Sequence, residues 1–197
     1  MSESQGKPRL ALFISGGGRT ALNIADEIDS GKLNAQTAVV VASRQCAGVE
    51  RCRDRGLDVI VERGVIPEDR LAQILSEYGV DLVCLAGYLK LLPIPDGWQD
   101  RILNIHPSLL PKFGGPGMYG ELVHAAVLEA GEQISGCTVH ICDGEFDRGP
   151  IVVQKSCEVV QGDTPETLAA RVFRAECEAY PEAIRTTLKT LGFNADQ

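Results

Sequence analysis

A carboxamide and an imidazole lie two residues apart in the run Ile102–Leu103–Asn104–Ile105–His106–Pro107–Ser108–Leu109–Leu110–Pro111. Together they offer a neutral hydrogen-bond donor and a titratable ring. On an extended chain both side chains leave the same face. Pro107 cannot donate to a sheet ladder, so the strand is expected to stop there. In an open parallel sheet such a strand end is where ligands bind. On these ten residues alone the plainer reading is favoured: Asn104 is a turn residue and His106 a satisfied buried histidine. A second stretch, His140–Ile141–Cys142–Asp143–Gly144–Glu145–Phe146–Asp147–Arg148–Gly149–Pro150, changes the balance.

The elements that must position these residues follow from pattern. Arg9–Ile14 reads as a strand that runs into Ser15–Gly16–Gly17–Gly18–Arg19–Thr20 and then a helix. Glycines permit tight turns and close approach of a ligand, and a helix start offers unpaired amides to an anion. The dinucleotide fingerprint fails, because Gly16-x-Gly18 is followed by Ala21; no Gly-Lys-Ser/Thr follows either. The loop therefore suggests a phosphate, but not a dinucleotide or a nucleoside triphosphate. Ala35–Ala42, Leu57–Val61, Asp81–Ala86 and Ile102–Ile105 read as further strands, and Ala47–Arg55 and Pro67–Tyr78 as helices. Strand and helix alternate at βα spacing, which predicts a parallel sheet. After a glycine-rich loop at 112–120, which is either a linker or a mobile loop beside the site, Glu121–Ala130 reads as a helix. Gln133–Cys142 and Ile151–Val160 read as two strands joined by an acidic turn, and so pair antiparallel. Thr164 and Pro165 form an N-cap and N1 pair opening a long helix. Pro181 is expected to kink or divide it near Tyr180.

The chain has 197 residues, which suits one domain with a full core. Its net charge of −8 argues against nucleic acid or an anionic membrane as the main partner. Residues 1–8 are polar, lack a signal-peptide apolar region and are expected to be a disordered or extended lead-in. The seven cysteines are odd in number and form no Cys-x-x-Cys pair, so reduced thiols in a cytoplasmic protein and no metal site are expected.

Asn-Ile-His-Pro-Ser-Leu-Leu-Pro at 104–111 resembles the signature of the folate-dependent formyltransferases. Val139–His140 through Gly149–Pro150–Ile151 is similar to that family's V-H-x-x-D-x-x-x-D-x-G-P-I motif. The resemblance covers nearly all of residues 9–191. It implies the α/β formyltransferase fold: a Rossmann-like, doubly wound, mostly parallel sheet with an antiparallel C-terminal strand pair, as a single domain over 1–197. It implies that 10-formyltetrahydrofolate is the co-substrate, with an amine attacking its formyl carbon. The length matches the family's single-domain member, whose acceptor is glycinamide ribonucleotide of purine synthesis.

By this resemblance Asn104, His106 and Asp147 are the catalytic trio. Asn104 and a protonated His106 would donate to the tetrahedral oxyanion. Asp147 would hold His106 charged and oriented, and pass the amine proton through water to the folate nitrogen. Gly17, Gly18, Arg19 and Thr20 are implied to bind the acceptor's phosphate and Glu176 its ribose. Tyr88, Leu89, Lys90, Leu91 and Leu92, with Ile141, Cys142, Asp143 and Gly144, are implied to line the folate pocket. Ser108, Leu109 and Leu110 are scaffold. The expected partners are small molecules, with no nucleic acid or membrane, and the protein itself is expected to be a monomer or homodimer.

The chain departs from the family pattern in two places. Arg19 and Thr20 stand where Ser-Asn is common, and the segment 113–120 is longer than usual and carries no histidine. Both flank the acceptor. Two alternatives stay open: a formyltransferase for another amine, such as a nucleotide-linked amino sugar, and a non-catalytic nucleotide- or folate-binding module.

Overall fold

The computed structural model describes residues 6–194; residues 1–5 of the expected lead-in lie outside them, and Gly6–Pro8 reach the first strand without regular structure. The apolar runs become β1 (Arg9–Ile14), β2 (Gln36–Ala42), β3 (Val59–Val61), β4 (Leu82–Leu85) and β5 (Ile102–His106). The last two strands are β6 (Ile134–Ile141) and β7 (Ile151–Glu158). They form one sheet in the order β3-β2-β1-β4-β5-β6-β7. The first five are mutually parallel, while β6 runs antiparallel to β5, and β7 to β6. The expected mixed sheet is present. The chain builds outward from β1 in one direction and resumes at β4 on the other side. That reversal leaves a crevice at the carboxyl ends of β1 and β4.

Helices α1 (Arg19–Asp29), α2 (Ala47–Asp54), α4 (Glu121–Glu129) and α5 (Pro165–Thr190) supply apolar side chains to one core, including Ile24, Val49, Val127, Leu168 and Ile184. The other face is covered by α3 (Glu68–Glu77) through Leu71, Ile74 and Leu75, with Trp98 packed at its margin. Both faces of β1 are thus buried, which is why its residues from Leu10 to Ile14 are wholly apolar. Tyr180, fully buried on α5, places its hydroxyl 3.1 Å from the carbonyls of both Leu85 and Leu103. It tethers the helix to the two strands that end at the crevice.

Pro181 does not divide α5, which runs unbroken from Pro165 to Thr190. The proline is itself buried, and Ala179, Tyr180, Ala183 and Ile184 around it pack into the core, so tertiary contact overrides the lost backbone donor. The Thr164 cap is present, with its hydroxyl accepting from the Thr167 amide. All seven cysteines are free thiols. No helix among the described residues is long and apolar enough to cross a membrane.

Candidate active site

β5 extends one residue past its expected end, to His106, and Pro107 stops it there. Asn104 and His106 share a strand face. Across the antiparallel pairing Asn104 lies opposite His140 and His106 opposite Thr138. Thr138 then fixes the chain beyond the strand: its hydroxyl donates to the Ser108 carbonyl (2.7 Å) and accepts from the Leu110 amide (3.0 Å). These bonds hold the backbone at Ser108 and Leu110 against β6.

Asp147 arrives from the turn between β6 and β7. Its backbone is left-handed (φ 57°), a conformation that aspartate tolerates better than most residues. The carboxylate is gripped on both oxygens. Oδ2 lies 3.3 Å from His106 Nδ1 and accepts the Gly115 amide at 2.9 Å. Oδ1 lies 3.3 Å from Asn104 Nδ2 and 3.5 Å from His140 Nε2. Burial pushes the Asp147 carboxyl up. The hydrogen bond from His106, the His106 charge and the Gly115 amide outweigh that, and hold it well below the usual carboxylate range. It is an anion throughout the physiological range.

His106 is almost wholly buried, and its Nε2 contacts the Phe113 carbonyl at 2.8 Å. Both ring nitrogens therefore face oxygens that only accept. Both contacts are satisfied together only when the ring carries two protons and a positive charge. His140 was not among the expected site residues, yet it completes the set. Its Nδ1 lies 3.0 Å from the Ile141 carbonyl and its Nε2 3.1 Å from Asn104 Nδ2. With Nδ1 donating, Nε2 accepts from the Asn104 amide and fixes which way that amide points. The signal for it was present in the sequence, since His140 opens the second motif.

These groups form part of the wall of a cavity of about 480 Å³ at the ends of β1, β4 and β5. The opposite wall is the glycine loop and α5. Gly18 caps α1 at φ 71° without a side chain, and the first turn of that helix holds no acid that would compete with an anion. Arg51 and Arg44 pin the loop by donating to the carbonyls of Gly17 (3.0 Å) and Ser15 (2.8 Å). Arg19 lies over the Phe173 ring, 4.2 Å from its centroid, a cation–π contact that holds the guanidinium at the cavity. Thr20 reaches Glu176 at 3.5 Å. Burial pushes the Glu176 carboxyl up to about 7, against the pull of Arg19, Thr20 and His106.

The structure thus brings together Asn104, His106 and Asp147, and faces them with Gly17, Gly18, Arg19, Thr20 and Glu176. The nine residues expected to line the folate pocket divide. Tyr88 and Leu89 line the cavity. The others lie outside its lining: Leu92 is buried in the α3-side core, Lys90 and Leu91 are exposed, and Ile141 and Cys142 pack half-buried against the two cores. Asp143 and Gly144 are exposed in a turn that Asp143 closes on the Glu145 amide (3.1 Å). Met118 and Tyr119 from the 112–120 loop and Phe146 also line the cavity, as do Phe173 and His124, which sequence reasoning did not single out. Phe173 stands three residues before Glu176 on one helix face, a spacing visible in the sequence.

The chain is similar to proteins of known family. The formyl transferase family pattern matches residues 8–184. The chloroplastic phosphoribosylglycinamide formyltransferase of Arabidopsis thaliana is 42% identical over 189 residues, covering 90% of this chain and 64% of that protein. The trifunctional purine biosynthetic protein adenosine-3 of Bos taurus is 35% identical over 188 residues, covering 91% of this chain and 18% of that protein. The crystal structure of glycinamide ribonucleotide transformylase 1 from Symbiobacterium toebii superposes with a TM-score of 0.82 at 40% identity, covering 91% of this chain and 87% of the other. The chain therefore spans only part of the curated relatives it matches.

Proposed function

This chain belongs to the formyl transferase family, and we propose that it moves the formyl group of 10-formyltetrahydrofolate to the amine of glycinamide ribonucleotide in purine synthesis, the described residues acting as one catalytic domain. The observation that carries the reading is the meeting of Asn104, His106 and Asp147 on one wall of a cavity whose other wall is a glycine loop with a held arginine.

The chemistry follows from the groups. The acceptor amine attacks the formyl carbon, and the carbonyl oxygen becomes an oxyanion. Asn104 donates to it through the amide hydrogen that otherwise faces Asp147, while His140 holds the other. His106 donates through Nε2–H, exchanging the Phe113 carbonyl for the oxyanion. That exchange ties the 112–120 loop to the chemical step. Asp147 compensates the imidazolium and takes part in moving the amine proton, through water, to the folate nitrogen as the C–N bond breaks. The α1 amides and Arg19 receive the phosphate, and Glu176 the ribose hydroxyls. Tyr88 and Leu89 offer apolar wall to the folate.

The test is a steady-state assay of folate release with and without glycinamide ribonucleotide. Release that requires the nucleotide supports transfer; release without it marks a hydrolase; folate binding with neither reaction, and with tight nucleotide binding, would favour the module reading.

Two results are expected at the acceptor wall. Arg19→Ala should raise the acceptor KM at least tenfold and leave the folate KM within about twofold, since a charge-assisted phosphate contact is lost. An unchanged acceptor KM would put Arg19 outside the phosphate site. The second result concerns pH. Glu176 accepts ribose hydroxyls best as a carboxylate, and its pKa stands raised to about 7. Acceptor KM should therefore fall as pH rises through 7. In Glu176→Gln that component should vanish, leaving only the acceptor phosphate's own titration near about 6. Profiles of KM against pH for the two proteins decide it.

A further inference from the structure

The mechanism above uses two of the chain's three histidines. The third, His124, lies on α4, four residues past the Gly120 cap, and lines the same cavity while being only 4% exposed. His106 and His140 have partners on both ring nitrogens. His124 does not: its Nδ1 is shut away from water with no hydrogen-bond partner. Burial lowers its pKa, and the nearby charge of His106 lowers it further, so the ring is neutral at neutral pH. A neutral imidazole has one nitrogen that donates and one that accepts. Leaving one of them buried and unpaired costs stability, and packing does not require it. Val123 and Val127 beside it on α4 already meet the apolar demand of the core, and a leucine would fill the position with no polar atom at all.

The position of the ring says which ligand would use it. α4 packs on α5, which presents Phe173 and Glu176 to the cavity, with Arg19 over Phe173. His124 therefore stands on the acceptor's wall, close enough to His106 to feel its charge. The reacting end of the acceptor must lie near His106. We infer that His124 is an acceptor-binding residue, whose neutral ring takes a hydrogen bond from an N–H at the reacting end of the acceptor, the amine or the carboxamide next to it. The χ2 torsion of histidine is soft, so a small turn of the ring presents Nδ1 to the bound group. This inference rests on the formyl-transfer reading and names one more contact within it.

The experiment compares wild type, His124→Leu and His124→Asn by calorimetric titration, using two probes. Glycinamide ribonucleotide carries the N–H groups; ribose 5-phosphate has the same phosphate and sugar without them. Thermal melting is followed in parallel. The leucine variant is expected to melt at the same temperature as wild type or higher, because an unpaired polar atom has been removed. It should bind glycinamide ribonucleotide at least tenfold more weakly and ribose 5-phosphate as well as wild type does. Asparagine, which keeps an accepting oxygen, should recover part of the loss. A leucine variant that binds glycinamide ribonucleotide normally overturns the inference and leaves the reaction intact. Equal weakening toward both probes with a lower melting temperature also overturns it, since that marks a packing role. Failure of wild type to bind glycinamide ribonucleotide at all overturns the acceptor reading, and this inference with it.

Discussion

Replacing His106 with alanine is expected to lower kcat about a thousandfold while the folate KM stays within a few-fold. Removal of one preorganised oxyanion donor typically costs roughly 10² to 10³ in kcat. His106 is more than a donor, because its Nδ1 lies 3.3 Å from the Asp147 carboxylate. Its loss removes the main counter-charge to that anion and the fixed distance between the two. Asp147 still keeps the Gly115 and Asn104 amides, so the fold should survive and the loss should fall on the chemical step. Single-turnover rates with both substrates saturating check this, with a melting curve to show that the variant is folded. A drop confined to KM would mean that His106 binds substrate without stabilising the transition state.

The second large effect is expected at a residue that touches no substrate. Gly149 is buried against β6, and a Cβ placed on it would stand 1.8 Å from the Ile141 carbonyl oxygen. The obstacle is backbone, so no side chain can swing aside. That same carbonyl partners His140 Nδ1 at 3.0 Å, and His140 Nε2 in turn orients Asn104 and reaches Asp147. Gly149→Ala must push the Ile141 carbonyl away, and the displacement passes through His140 to Asn104 and Asp147. Overpacking of this kind costs about 3 kcal/mol, a fall of roughly 10 °C in Tm for a chain of this size. Activity should fall further than the remaining folded fraction explains. A variant that melts lower but keeps its full kcat per folded molecule would show that the β6–β7 turn does not set the site geometry.

How much of this was legible beforehand depends on the range of each contact. The strand carrying Asn104 and His106 was readable because an apolar run, an alternation of two and a proline are all local signals. The Thr164 cap and the glycine loop were local too. Asp147 had no such signal. It reaches His106 only through the antiparallel pairing of β5 with β6, and only the motif pointed to it. His140 was missed for the same reason, since its role depends on lying opposite Asn104 in that register. The resemblance implies the segments 88–92 and 141–144 as blocks, yet contiguous residues do not share one environment. Tyr88 and Leu89 face the cavity, Leu92 serves the core, and Asp143 closes its own turn. At Pro181 backbone propensity alone predicts a kink or a break, and the packing of Tyr180 and Ile184 keeps the helix unbroken.

The central claim is that the cavity joins a formyl donor to an amine and shuts out water as the acceptor. It is tested most directly by following the carbon itself. Folate labelled with carbon-13 in the formyl group would be incubated with the protein and glycinamide ribonucleotide, and the label located by NMR. The account predicts that the label appears as a formamide on the nucleotide's amine, with free formate no higher than in a control without protein, and that His106→Ala abolishes the signal. Label accumulating as formate whether or not the nucleotide is present would contradict it.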